Sequence, residues 1–126
     1  PKYQPLPLSA NVFELIHGFM NANDLKSADK LPAFLKEKLN YKFTDHTVLN
    51  RIGYARLKKE ENPGWALELF KLNVQLFPDD GNLWDSLGEA YLKYGEKEEA
   101  IISYSKAVKM GNKASVKIFK KLTEEN

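Results

Sequence analysis

The sequence predicts an all-α fold, a solenoid of antiparallel helix hairpins with about seven helices, on three observations. First, the chain repeats itself: Ala66 matches Ala100, Phe70 matches Tyr104, Val74 matches Val108 and Leu76 matches Met110, all at an offset of 34 residues. Upstream, Leu49 matches Trp84, Ile52 matches Leu87, Gly53 matches Gly88, Ala55 matches Ala90 and Leu57 matches Leu92, at an offset of 35. A period in this range means stacked copies of one supersecondary unit. Second, every patterned segment carries apolar residues at three- and four-residue spacing, as in Leu83, Leu87 and Tyr91, and no segment alternates as a strand would. Third, 126 residues that are 43% hydrophobic and 29% charged suffice for one core and lie outside the disordered range.

Taken in order, residues 1–8 read as a linker. Residues 9–21 form a first helix with Val12, Phe13, Ile16, Phe19 and Met20 on one side. Residues 27–39 form a second, carrying Leu31, Phe34, Leu35 and Leu39; Pro32 fits only its first turn, so it begins near Asp29. Together they make a degenerate hairpin over 9–43. The first full unit, 44–80, opens at Thr44, which can cap while Phe43 staples onto Val48. The one-residue difference in offset falls in the turn at 58–65, longer than Lys93-Tyr94-Gly95-Glu96 in the next unit. Pro78 and Asp79-Asp80-Gly81 end that unit and begin the second, 81–111. Residues 112–126 supply a capping helix with Val116, Ile118, Phe119 and Leu122 inward and lysines outward. Gly53, Gly88, Ala55, Ala66, Ala90, Ala100 and Ala107 are small where helices must approach closely.

Charge and composition exclude several functions. Nineteen basic residues against 17 acidic ones leave a net charge of +2, and only Arg51 and Arg56 are arginine, so no nucleic-acid partner is expected. The absence of cysteine removes disulfides, thiolate metal sites and a thiol nucleophile, and leaves the compartment open. No apolar run approaches the roughly 18 residues of a membrane span, so no membrane partner is expected. The start, Pro1-Lys2-Tyr3-Gln4-Pro5, is neither a signal peptide nor an initiator methionine, and reads as a piece cut from a longer protein.

Trp84-x-x-Leu87-Gly88-x-x-Tyr91 followed by Ala100-x-x-x-Tyr104 resembles the tetratricopeptide repeat (TPR) signature. Leu49-x-x-Ile52-Gly53, Ala66-x-x-x-Phe70 and Pro78 resemble a second copy. Arg56 stands where an aromatic is usual, and Gly111-Asn112 replaces the closing proline. The resemblance implies a protein-interaction scaffold whose first helices line a concave face. It also implies that Phe70, Trp84, Tyr91 and Tyr104 are packing residues. More narrowly, the run from Phe70 to Pro78, with Leu83-Trp84-Asp85-Ser86-Leu87-Gly88-Glu89-Ala90-Tyr91, is similar to the TPR tails of bacterial serine hydrolases, both α/β-hydrolase esterases and β-lactamase-like enzymes. Leu6-Pro7-Leu8 and Tyr41-Lys42-Phe43 stand where such tails have a linker and a Tyr-x-Phe segment.

Catalytic chemistry is not expected of this chain. It has no Gly-x-Ser-x-Gly elbow, and its two Ser-x-x-Lys matches, Ser27 to Lys30 and Ser103 to Lys106, lack the Ser-Asp-Asn and Lys-Thr-Gly partners of β-lactamase chemistry. Glycines are scattered singly, so there is no phosphate loop, and no cofactor is expected. His17 and His46 have no metal-ligand spacing, so no metal is expected; His17 reads as half-buried beside the apolar stripe and His46 as solvated. Trp65 in the long turn and Tyr54 after Gly53 are either exposed anchors or packed aromatics.

The expected function is binding of a peptide segment or neighbouring domain; the alternative is an accessory tail of a serine hydrolase that docks on and shapes the catalytic domain of the parent protein. The candidate groove residues are Thr47, Asn50, Tyr54, Leu57 and Lys58 from the first unit and Asn82, Asp85, Glu89, Leu92 and Lys93 from the second. Asn50 and Asp85 stand where chaperone-binding TPR proteins need a basic residue, and Tyr54 and Glu89 where they need asparagine, so a carboxylate clamp is disfavoured. Asp85 with Glu89 suits a neutral or basic partner segment.

Overall fold

The computed structural model describes residues 8–59 and 63–125. The described residues form seven α-helices and one 3-10 turn, with no strand among them. The backbone divides into two compact units, 1–44 and 45–126. The expected linker at 1–8 and the middle of the long turn, at 60–62, lie outside the described residues except for Leu8.

In the first unit, α1 (Leu8–Ala22) is followed by the 3-10 turn (Leu25–Lys30) and by α2 (Leu31–Leu39). Val12, Ile16, Phe19 and Met20 are buried along one stripe of α1, Leu31 and Leu35 along α2, and the Phe19 and Phe34 rings lie 5.1 Å apart. The single helix expected over 27–39 is broken instead: α2 begins at Leu31 with Pro32 in its first turn. A proline ring clashes with the carbonyl four residues back, so the chain before it takes tighter i to i+3 bonds, as Ser27 N to Asp24 O at 3.1 Å. Asn40 ends α2 in the left-handed region at φ 53°, a conformation asparagine tolerates. His17, expected half-buried, is exposed, because the buried stripe runs through its neighbour Ile16 and turns away by about 100° per residue.

The second unit holds α3 (Thr47–Lys59), α4 (Pro63–Leu76), α5 (Gly81–Tyr94), α6 (Lys97–Lys109) and α7 (Ala114–Glu124). Each helix packs on the next in sequence, and α3 also touches α5. One cluster joins Leu57, Ala66, Leu67, Phe70, Val74, Leu83, Leu87 and Ala90; a second joins Ala100, Tyr104 and Leu122. A Cβ built at Gly53 would lie 2.6 Å from the Phe70 ring, and one at Gly88 2.8 Å from the Tyr104 ring. Both glycines therefore let an aromatic from the following helix lie on the backbone, and the two seats are related by the sequence repeat.

Helix starts repeat as well. Asp45 Oδ1 accepts from Thr47 N at 2.6 Å, and Asp80 Oδ1 accepts from Asn82 N at 3.0 Å. The opening residue of α3 is thus Asp45 rather than the expected Thr44, because its carboxylate reaches an otherwise unpaired N–H two residues on. Trp65 is buried within the first turn of α4, which starts at Pro63, so the exposed-anchor alternative is excluded. Trp84 and Tyr91 are half-buried against the first cluster. The Trp84 indole donates to Pro78 O at 3.0 Å, and Lys106 Nζ lies 4.3 Å from its ring centre. On α7, Leu122 is buried and Ile118 and Phe119 pack partly, but Val116, expected inward, is 49% exposed. Its neighbour Ser115 is fully buried instead, drawn in by the polar bonds described next.

Candidate functional site

The candidate groove residues come from α3 and α5, and the structure ties these two helices and α7 together through polar side chains. Tyr54 is half-buried, its ring 5.0 Å from that of Phe70 in an edge-on contact. Its hydroxyl lies 2.9 Å from both Ser86 Oγ and Glu89 Oε1, and has one proton to share between them. Ser86 donates its own proton to Asn82 O at 3.1 Å. Burial pushes the Tyr54 phenol up to about 12; the Ser86 bond pulls the other way, and the Glu89 and Asp85 charges add to the rise.

Between α5 and α7, Ser115 Oγ donates to Asp85 Oδ1 at 2.5 Å. Asn112 Oδ1 accepts from Ser115 N at 2.9 Å and so opens α7, while Asn112 Nδ2 donates to Asn82 Oδ1 at 2.6 Å. Asp85 is half-buried and Glu89 exposed, so the two carboxylates lie one turn apart on an accessible stretch of α5. Tyr104 approaches the same stretch from α6. Its ring lies on Gly88, and its phenol is pushed up by burial first, then by Asp85, Glu89 and Tyr54.

The remaining candidates scatter. Leu57 is buried in the first cluster and leaves the groove set, because its side of α3 faces Ala66 and Phe70. Leu92 packs partly on the second cluster. Thr47 is exposed but spends its hydroxyl on Asp45, and Lys58 and Lys93 are exposed near the C-terminal ends of their helices. Asn50 is half-buried, with its Oδ1 lacking a hydrogen bond, as do His46 Nδ1 and Asn73 Oδ1. His46, expected to be solvated, is half-buried with Nε2 3.5 Å from Asp80 Oδ2, and its carbonyl accepts from Asn73 Nδ2 at 3.0 Å. It lies just before α3, where the end of α4 can reach it.

Two residues that join this arrangement are not legible as such in the sequence. Ser115 was assigned to a capping helix, though Asn112-x-x-Ser115 is the spacing at which an asparagine caps a helix start. Tyr104 was read as packing alone, though Phe70 at the matching position shows that packing needs no hydroxyl. Of the Ser-x-x-Lys serines, Ser27 Oγ donates to Asp24 Oδ1 at 3.3 Å and Ser103 is buried. Opposite charge gathers on α7, where Lys117, Lys120 and Lys121 line a shallow hollow with Glu124 and Glu125.

Among the described residues, no three His, Cys, Asp or Glu side chains are grouped to hold a metal ion, and no helix is long and apolar enough to cross a membrane. No protein-family model matches the chain, and no curated protein matches it.

Proposed function

We propose that the chain is a tetratricopeptide-type interaction module that binds an extended peptide segment, or a segment of a neighbouring domain, across α3, α5 and α7. The observation that carries this reading is the pair of matched seats, Phe70 on Gly53 and Tyr104 on Gly88. Equivalent close approaches one repeat apart are what stacked helix pairs of one design require, and such stacks present their first helices on a shared face. The matched openings at Asp45 and Asp80 support the same reading. So do the bonds from Tyr54 to Glu89 and from Ser115 to Asp85, which hold polar groups of three helices in fixed positions on that face.

The chain contributes binding rather than catalysis in this reading. A serine nucleophile needs a general base within hydrogen-bond reach, and the partner of Ser27 is an exposed aspartate. The test is to titrate the isotope-labelled chain with acidic, neutral and basic peptides of matched length and follow its backbone amide signals. Saturable shifts concentrated on α3, α5 and α7 are expected. Shifts confined to α4 and α6, or none with any peptide, would reject the module reading.

A further inference from the structure

We propose that His46 Nδ1, Asn50 Oδ1 and Asn73 Oδ1 bind one internal water molecule, which pins the start of α3 to the end of α4; the inference stands apart from the partner-binding reading. These three side-chain atoms are buried, and none has a hydrogen-bond partner among the described residues. They belong to one locality. The His46 carbonyl accepts from Asn73 Nδ2 at 3.0 Å and from Asn50 N at 3.2 Å, so both asparagines meet at the residue before α3. Asn73 is 0% exposed, and holding its nitrogen on His46 O leaves its oxygen as the unpaired arm of the amide. A buried polar atom left unpaired costs free energy, and three in one place call for a common partner.

The sequence repeat supplies the independent observation. The positions matching His46, Asn50 and Asn73 in the second unit are Gly81, Asp85 and Ala107. There the same junction closes by direct contact. A Cβ at Gly81 would lie 3.1 Å from Met110 Cβ and 3.5 Å from the Ala107 carbonyl oxygen, and Asp85 Oδ1 accepts from Ser115. Ala107 is as fully buried as Asn73, so packing at this place needs no amide. What the first unit adds is two acceptors and a ring nitrogen, and water fits that set. It donates one proton to each asparagine oxygen and accepts from His46 Nδ1–H, about the three bonds usual for a buried water. His46 Nε2 lies 3.5 Å from Asp80 Oδ2, beyond the roughly 2.7 to 3.2 Å of an N–H···O bond, so that contact does not hold the ring proton on Nε2. A partner's side chain is a poorer occupant, since all three atoms are closed to solvent. A metal ion also fits less well, because these atoms bring no negative charge to offset it.

The experiment uses the whole 126-residue chain, isotope-labelled. Cross-relaxation spectra that start from the water signal are expected to show a long-lived water next to the side-chain amide protons of Asn50 and Asn73. Long-range nitrogen–proton spectra of the neutral His46 ring should place its proton on Nδ1. Asn73→Leu fills nearly the same space without an acceptor, and oxygen-17 relaxation dispersion should then count one long-lived water fewer than in the parent chain. An unchanged count in a folded Asn73→Leu chain would overturn the site. If that variant does not fold, the parent chain decides by itself: no long-lived water beside the two amides, or a ring proton on Nε2, overturns the proposal.

Discussion

A side chain at Gly88 has nowhere to go: its Cβ would meet the Tyr104 ring at 2.8 Å, against a helix that cannot yield without moving the second cluster. Gly88→Leu should therefore destabilise by about 1 to 3 kcal/mol or more, the range for overpacking, read as a lower urea midpoint. Gly18 is the contrast, with nothing within 4 Å of its Cβ position on α1. Gly18→Ala should raise stability by about 0.5 to 1 kcal/mol, since only the helix cost of glycine is removed. Tyr54 makes a prediction of a different kind. Its phenol keeps its proton to about 12 when folded, against 10.0 ordinarily. Between those values the folded state holds a proton that the unfolded chain has released, so stability falls as pH rises through the window. Urea midpoints measured across it should fall less steeply in Tyr54→Phe than in the parent chain.

At the scale of the element, α7 separates two kinds of apolar residue that the sequence could not tell apart. Leu122→Ala should cost about 2 to 5 kcal/mol, whereas Val116→Ala should stay within about 0.5 kcal/mol. Equal losses in thermal or urea unfolding would show that α7 is rotated from the position described. The helices and their repeat were legible because apolar spacing reports the period of a helix, and because Gly53 and Gly88 mark close approach. The start of α2 was legible only within a turn, because Pro32 fixes where a helix can begin but not what precedes it. The rotation of α7 was not legible, because Ser115 is drawn inward by Asp85, thirty residues earlier in the chain. Leu57 was misplaced for the same reason: which flank of α3 is buried depends on Ala66 and Phe70, contributed by another helix. Tyr104 shows the complementary limit, since the repeat pattern assigns its ring and is silent about its hydroxyl.

For the molecule as a whole, a net charge of +2 conceals a separation of sign. Asp85 and Glu89 stand on α5, while Lys117, Lys120 and Lys121 gather on α7 with two glutamates among them. If the chain binds a segment as proposed, such a division would act before any contact forms, turning a charged segment so that its basic end leads toward α5. The reach of that torque is about 8 Å at physiological ionic strength and shrinks as salt is added. Association of a peptide with one basic and one acidic end should therefore slow with added salt in stopped-flow measurements, while dissociation changes little. A peptide of the same composition with its charges alternating should lose this sensitivity, because the orienting force acts on the separation of charge and not on its amount.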